Sequence, residues 1–410
     1  MADPAGTLVV QAQLAWDLGP GHPLRGIRLE LAMELSQALG LLHRPGVRTL
    51  RAEPAGDELL RLAHDARYLE VVRGADGAAT AVRGSAGGPT AADLLAAGLG
   101  GADTPVVPGL HARAAAAVGA SVAGARALLT GEVSHAVALA GGWHHAHRAW
   151  ASGFCVYNDV VIAIRVLLAG GSGRVCYVDL DGHHGDGVQA AFAADPRVVT
   201  VSIHQDGRTL FPGTGAGDDV GVGIAEGSAV NIALPPGTRD AGWLRAIDAV
   251  LPVVLRAADP SVVVLQCGCD GHRSDALTDL ELTAEGFLAG VARVHHLAHE
   301  CASGRLLVLG GGGYRSADAV PRVWTQVLAE VTGGLLPWDT ELPAGWRARA
   351  ARLAGVEPAD IPTRLGDGAD ITVVGWDAGE GDADDPLDRA IALTRRAVLP
   401  LWGLDPLVDR

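Results

Sequence analysis

Short apolar runs alternate along this chain with longer stretches in which apolar residues recur at every third or fourth position. The runs lie at 136–140, 175–178, 198–203, 262–266 and 306–309. The longer stretches, which predict helices, lie at 22–42, 57–72, 113–129, 157–169, 188–194, 240–257, 283–301, 316–331 and 387–399. Unbroken apolar runs separated by helices are typical of parallel strands covered on both faces. The pattern therefore predicts an α/β protein: a single three-layer domain with a parallel sheet flanked by helices.

The composition of the chain changes at about residue 335. From there the sequence is rich in Pro, Trp, Asp and Gly, and it closes with the predicted helix at 387–399. No flexible linker precedes this part. We expect one domain over 1–410, with a catalytic core at about 10–334 and a C-terminal extension at about 335–410 packed on the core.

Titratable side chains gather directly after the apolar runs. These residues are His144, His145, Asp181, His183, Asp186, His204, Asp270, His272 and Tyr314. In an open parallel sheet the carboxyl ends of the strands lie at one edge, where ligands bind. We therefore expect these groups to converge on one site.

The densest cluster lies in residues 174–187, RVCYVDLDGHHGDG, where a buried strand breaks into aspartates, histidines and glycines. A polar turn that happens to contain histidines is the alternative. Turns, however, rarely concentrate so many groups that can bind a metal or carry a proton.

Composition and charge argue against some classes of function. The 410 residues carry 32 basic and 47 acidic side chains, a net charge of −15, and every basic residue is an arginine. An acidic surface without lysine argues against binding to nucleic acid or to a membrane. Five cysteines do not suggest a disulfide framework, and the start of the chain does not resemble a signal peptide. We expect a cytoplasmic globular protein; no pattern assigns an oligomeric state.

Three of the clustered groups could form a metal site. Asp181 and His183 are two positions apart, so on extended chain their side chains point to the same side, and Asp270 could complete the set. Three N and O ligands with a fourth position left for water suit a catalytic zinc ion, with iron(II) or another divalent ion as the alternative. His184 points the opposite way from His183, so we assign it no metal role.

Other residues could move protons or stabilise charge. His144 and His145 follow two glycines at a strand end, and Asp179 and Asp186 are the carboxylates placed to orient them. Tyr314 closes a turn of four glycines and could donate a hydrogen bond to an oxyanion. Two residues look ordinary in their own segments, Arg28 as a surface arginine and Asp103 as a turn residue.

Taken together, these segments resemble the zinc-dependent histone deacetylase family, which has the arginase/deacetylase fold, and within it the bacterial acetoin-utilisation branch. The matching segments are GGWHHA at 141–146, ASGFCVYND at 151–159, the stretch at 174–187, FPGTG at 211–215, QCGCD at 266–270 and LGGGGY at 309–314. The likeness extends to DLGPGHP at 17–23 and to the stretch from DRA at 388–390 to GLD at 403–405, so it covers nearly the whole chain.

The resemblance implies a role for each matching residue. Asp181, His183 and Asp270 would bind zinc, His144 and His145 would transfer protons with the support of Asp179 and Asp186, and Tyr314 would polarise the acetyl carbonyl. The implied substrate-binding residues are Asp103, Gly153, Phe154, Phe211 and Arg28, the last lining a pocket for acetate. A structural potassium ion would use Asp179, Asp181, His183, Ser202 and Ile203, largely through backbone oxygens.

The implied activity is removal of acetyl, or other short acyl, groups from lysine side chains of proteins, with an acetylated acetyl-CoA synthetase as the expected partner. The alternatives are an acetylpolyamine amidohydrolase, an arginase-like enzyme with two metal ions, and a catalytically silent protein that binds acetyl-lysine. Two departures from the family pattern stand out: Ala276 replaces the usual proline after Asp275, and Ala102 replaces the aromatic residue that animal members carry beside the rim aspartate.

Overall fold

The five predicted apolar runs form five strands of an eight-stranded sheet, and the other three strands were not predicted. The computed structural model describes residues 6–19, 21–80, 88–376 and 381–408. Within them the strands are β1 (Thr7–Ala12), β2 (Val47–Ala52), β3 (His135–Ala138), β4 (Val175–Asp179), β5 (Val198–Gln205), β6 (Ala229–Leu234), β7 (Val262–Gln266) and β8 (Leu306–Leu309). All pairings are parallel, in the order β2-β1-β3-β8-β7-β4-β5-β6.

Helices connect these strands. The α-helices are α1 (Ile27–Ala38), α2 (Asp57–Leu60), α3 (Ala66–Thr80), α4 (Ala91–Ala96), α5 (Leu110–Leu129), α6 (Asp159–Ala169), α7 (Asp186–Phe192), α8 (Asp240–Ala258), α9 (Ala284–Cys301), α10 (Ala319–Val331), α11 (Ala344–Ala354) and α12 (Pro386–Val398). Short 3-10 turns lie at Leu41–His43, Gly223–Ala225, Pro358–Asp360 and Leu399–Trp402. The stretch at 57–72, predicted as one helix, is two helices separated by a bend.

Alternate residues of each strand face opposite layers of helices. In β4, Cys176 and Val178 pack in the cluster that includes α8, α9 and α10, whereas Val175 and Tyr177 pack in the cluster that includes α5 and α6. Side chains alternate across a strand, so a strand with helices on both sides is apolar at every position. The predicted three-layer α/β fold with a parallel sheet is confirmed.

One helix in the described part of the chain, α5, is long and apolar enough to cross a membrane by length and composition. Its most apolar window is 72% buried inside the protein. The apolar surface of α5 is therefore used in the core, against β1, β3 and α6.

The C-terminal segment contacts the core through buried polar groups. Asp367 accepts a hydrogen bond from Arg322 of α10 (2.9 Å) and pairs with His272 (2.8 Å) in the turn after β7. Trp346 of α11 donates to the carbonyl of Leu31 in α1. The contact between Asp367 and His272 ties the extension to the turn that carries Asp270, and the other two tie it to α10 and α1.

The sheet order positions the functional groups. The four strands β3, β8, β7 and β4 are consecutive neighbours in the sheet although they are far apart in the chain. Their carboxyl ends carry His144, Tyr314, Asp270 and Asp181, respectively. Groups from four chain segments consequently meet at one edge.

A buried histidine, His64, supports the loop after β3. Only 3% of its surface is exposed. Its Nδ1 lies 3.0 Å from the carbonyl oxygen of His147, and its Nε2 accepts the backbone N–H of Asn158 at 3.0 Å. Nε2 must therefore hold a lone pair, so the ring is neutral. The side chain of Asn158 in turn donates to the carbonyls of His144 and Ala146.

We expect stability to depend on the protonation of His64. Burial lowers the pKa of His64 from 6.5 to about 4. Between these values the unfolded chain binds a proton that the folded chain does not, so stability falls as the pH falls through this window. A shift of this size corresponds to about 3 kcal/mol. Urea unfolding at pH 7 and at pH 4.5 measures this effect. Between these two pH values, the unfolding free energy of the wild type should fall by about 2 to 3 kcal/mol more than that of His64→Gln. Equal drops in the two proteins would contradict this role.

Candidate active site

Asp181, His183 and Asp270 come together with their ligand atoms facing one another. The three side chains are buried, and their candidate donor atoms all lie within 4.8 Å of one another. Nδ1 of His183 lies 3.2 Å from Oδ1 of Asp181 and 3.0 Å from Oδ2 of Asp270. Two ligand atoms bound to one tetrahedral zinc ion are about 3.3 Å apart. The spacing of the three donors therefore fits such an ion.

The second oxygen of each carboxylate is held by the protein. Oδ2 of Asp181 accepts hydrogen bonds from Gln266 (2.9 Å) and from the backbone N–H of Gly312 (2.8 Å). Oδ1 of Asp270 accepts the backbone N–H of Gly182 at 2.8 Å. The other oxygen of each carboxylate faces His183, and Oδ1 of Asp181 also accepts the backbone N–H of His183 at 3.0 Å.

The charges in this cluster also favour a cation. Burial, followed by the negative charge of Asp181, raises the pKa of Asp270. Burial opposes the charged form of His183, but the two carboxylates outweigh it and raise its pKa well above the ordinary value. A single Nδ1 proton can bridge only one carboxylate well, whereas a divalent cation would satisfy all three groups. The donor set therefore fits a divalent metal ion.

His144 and His145 lie beside this set and are each paired with a carboxylate. Nδ1 of His144 is 2.7 Å from Oδ2 of Asp179, and Nδ1 of His145 is 2.7 Å from Oδ1 of Asp186. The two Nε2 atoms face each other at 3.0 Å. Because both Nδ1 atoms donate to carboxylates, we place the tautomer protons there. The Nε2 atoms can then share at most one further proton.

The two histidines differ in proton affinity. Burial disfavours a charge on His144, but Asp179 and Asp181 outweigh it and raise its pKa to about 9. Burial and the charge of His144 lower the pKa of His145 to about 3. The pair consequently behaves as one unit that holds a single extra proton around neutral pH.

Tyr314 and Arg28 lie on the β8 side of the site. Burial, followed by the charges of Asp270 and Asp181, raises the pKa of Tyr314 well above 10, so its hydroxyl stays protonated. Arg28 donates to the carbonyl of Gly313 at 2.7 Å, and its guanidinium lies over the rings of Trp143 and Trp324. The local expectation that Arg28 is a surface residue is wrong, since only 3% of it is exposed.

Aromatic side chains surround the approach to the metal cluster. The ring of Phe211 lies 5.0 Å from that of His145, and the ring of Phe154 lies 5.5 Å from that of Tyr314. Gly153 has φ +52°, and a Cβ there would overlap the ring of His145. The absence of a side chain at Gly153 therefore makes room for the imidazole of His145.

Asp103 lies on an exposed loop next to this approach. Its carbonyl oxygen is 3.2 Å from Nε2 of His22, whose ring contacts Phe154. Its carboxylate accepts a hydrogen bond from Thr104 at 3.0 Å.

The positions of Ser202, Ile203 and His184 are also defined. Ser202 lies opposite Asp179 in the register of β5 and β4, and Ile203 follows it in β5. His184 hydrogen-bonds to Thr214 and Gln189 and is not in the ligand cluster.

Several supporting residues were not predicted from the sequence. Tyr177 donates to Oδ2 of Asp179 at 2.6 Å, and His147 pairs with Oδ2 of Asp186 at 3.0 Å. Asp159 accepts the backbone N–H groups of Gly142 and Trp143 and so fixes the turn before His144. The sequence offered one signal for such supporting residues: a polar residue that ends an apolar run, as Gln266 does.

Comparison with known proteins agrees with this geometry. Residues 22–331 match the histone deacetylase domain family. The chain is 35% identical over 350 residues to the acetoin utilization protein AcuC of Bacillus subtilis (strain 168), covering 85% of this chain and 86% of the relative. It is 33% identical over 323 residues to AcuC of Staphylococcus aureus (strain MSSA476), covering 78% and 80%, and 32% identical over 346 residues to AcuC of Staphylococcus xylosus, covering 84% and 87%. With three quarters of its length matched to the family and relatives this similar along most of both chains, the protein belongs to the histone deacetylase family.

Proposed function

We propose that the protein is a zinc-dependent amidohydrolase that removes acetyl, or other short acyl, groups from lysine side chains of cytoplasmic proteins. The observation that carries this proposal is the buried Asp181–His183–Asp270 cluster lying beside a histidine pair backed by two carboxylates. The names of the relatives favour a place in acetoin or acetate metabolism. An acetylated acetyl-CoA synthetase is a substrate of the proposed kind.

Asp181, His183 and Asp270 would hold the metal ion. One imidazole and two carboxylates suit zinc, with iron(II) as the alternative. Bound there, the ion would polarise the acyl carbonyl and lower the pKa of water. The anchored oxygens of Asp181 and Asp270 keep the ligands oriented before the ion binds.

His145 and His144 would move the protons. In the first step the pair takes a proton from water as the water oxygen attacks the acyl carbon. In the second step the pair returns that proton to the lysine nitrogen as the C–N bond breaks. Acetyl-lysine and water thus give lysine and acetate. The positive charge of a metal ion in the neighbouring cluster would lower the pKa of His144. The histidine pair could then more readily give up its extra proton and act as a base at neutral pH.

Tyr314 would stabilise the oxyanion. Its hydroxyl remains protonated at neutral pH and can donate to the carbonyl oxygen as negative charge develops there. Arg28, buried behind the glycine turn, supplies a positive charge for the acetate that leaves. The pKa of Arg28 is lowered by burial, which the neighbouring acidic groups oppose.

Substrate selection would depend on the aromatic approach. Phe154 and Phe211 would flank the alkyl stem of the acylated lysine, and Gly153 would leave that space open. Asp103, exposed at the rim, would accept hydrogen bonds from the backbone of a protein substrate. A potassium ion beneath the metal site would use Asp179, Asp181 and His183 together with Ser202 and Ile203 across the β4–β5 pair.

Removing the hydroxyl of Tyr314 should abolish most of the activity. We expect Tyr314→Phe to lower kcat by about 100- to 1000-fold, the effect typical of losing one oxyanion donor, while zinc content stays at the wild-type value. Acetyl-peptide hydrolysis and metal analysis measure the two effects. Tyr68→Phe is the matched control, because Tyr68 is buried and loses only a hydrogen bond to the carbonyl of Val156. Near-normal turnover in Tyr314→Phe would rule out the proposed role.

Filling the space at Gly153 should displace His145. We expect Gly153→Ala to reduce kcat at least tenfold with zinc binding retained, because the new methyl group overlaps the imidazole. Gly131→Ala introduces a methyl group at a similar backbone conformation (φ +69°) with no atom within 4 Å, and so controls for backbone strain alone. Equal activity in these two variants would contradict the positional role of Gly153.

Replacing Asp103 should distinguish an enzyme that acts on proteins from one that acts on polyamines. We expect Asp103→Ala to lower kcat/KM for an acetyl-lysine peptide by about 10-fold or more, the loss typical of a hydrogen bond to a charged group. Acetylputrescine, which has no peptide backbone, should be affected much less. A wild-type preference for acetylputrescine, with no effect of Asp103→Ala on either substrate, would favour the acetylpolyamine amidohydrolase.

A further inference from the structure

A second cluster of candidate metal ligands lies at the other end of the sheet. His135 opens β3, and His295 and His299 are one turn apart on α9. We call these three residues the trihistidine cluster. Since β3 runs from His135 toward the turn that carries His144, the cluster lies at the amino-terminal edge of the sheet, away from the active site.

The three rings converge through their Nε2 atoms. Nε2 of His295 lies 3.3 Å from Nε2 of His135 and 3.2 Å from Nε2 of His299. One ligand atom from each of the three residues lies within 4.8 Å of the other two. Nitrogens that share one tetrahedral zinc ion are about 3.3 Å apart. The rings are therefore spaced as ligands of a single ion.

Hydrogen bonds on the opposite side of two rings fix their tautomers. Nδ1 of His135 lies 3.1 Å from the carbonyl oxygen of Val331, which can only accept. Nδ1 of His295 lies 3.0 Å from Oε1 of Glu330. Both Nδ1 atoms consequently carry the proton, and in the neutral rings both Nε2 atoms present lone pairs to each other. Histidines that bind metals are commonly oriented in this way, by a carboxylate or a carbonyl at the other nitrogen.

Two lone pairs at 3.3 Å repel unless a positive charge lies between them. A proton could fill that role for one pair of nitrogens, but it cannot serve three convergent rings at once. A divalent transition metal ion accepts all three lone pairs and leaves a fourth position for water. A cavity of about 180 Å³ is lined by His135, His295 and Glu330, so there is room beside these ligands for the ion and its water.

We propose that the trihistidine cluster binds a divalent transition metal ion, with zinc as the ion used to test it. Three imidazole nitrogens suit zinc, nickel or copper and disfavour magnesium or calcium. The ion would join the start of β3 to α9 and, through Glu330 and Val331, to the end of α10. The chain would then hold two zinc ions, one at each edge of the sheet.

Zinc stoichiometry tests the proposal. The full-length chain is stripped with a chelator, titrated with Zn²⁺ by calorimetry, and its retained zinc is measured after gel filtration. We expect two ions for the wild type and for His296→Gln, in which an exposed histidine of the same helix outside the cluster is replaced. We expect one ion for His299→Gln. Because His299 is exposed, replacing it should not prevent folding, which a thermal melt checks.

Two further variants separate this site from the active site. Asp270→Asn should lose the active-site ion and retain the ion in the trihistidine cluster. Glu330→Gln should weaken zinc at the cluster by about 10- to 100-fold, as expected for a partner that orients a ligand. A wild type whose one ion is lost in Asp270→Asn, or equal stoichiometry in His299→Gln and His296→Gln, would overturn the proposal while leaving the proposed deacetylase activity untouched.

Discussion

The structure of the active site depends on one electrostatic constraint, the burial of several carboxylates close together. Asp179, Asp181 and Asp270 are each at most 1% exposed, and unpaired charges in such a place would be very costly. The protein offsets this cost with hydrogen bonds from backbone N–H groups, Gln266 and Tyr177, and with the imidazoles of His144 and His183. Backbone N–H groups become available where strands end, so the site must lie at the strand ends.

The same constraint accounts for the glycines around the site. A Cβ at Gly312 would collide with Asp270, and one at Gly268 would collide with Asp181. The backbone must approach the carboxylates closely because it supplies their hydrogen bonds, as the N–H of Gly312 does for Asp181. Among the glycines after β8, Gly312 is thus required by buried charge, and the turn that contains it also carries Tyr314.

The sequence predicted those features of the fold and the site that depend on local patterns of residues. Strands buried on both faces, such as β4 and β7, stand out as apolar runs, and the groups after them could be placed on one edge because parallel strands share a direction. Sequence reasoning missed three strands: β1, whose apolar run of Leu8 to Val10 is only three residues long, β2, whose central residues are exposed at the edge of the sheet, and β6, which is interrupted by the buried Asn231. It also misjudged Arg28, because the Trp143 and Trp324 rings that bury it come from distant parts of the chain.

The trihistidine cluster could not be predicted from the sequence either, because its residues come from distant parts of the chain. It also connects the two edges of the sheet. His135 and His295 are 160 residues apart and are joined only because β3 and β8 are paired and α9 leads into β8. A single strand, β3, then begins at one candidate metal site and leads directly to the histidine pair of the other. Zinc bound at its start would fix β3 against α9 without contacting substrate. Loss of activity on chelation would therefore combine removal of the catalytic ion with any loosening of β3, and only variants confined to one edge can separate these two effects.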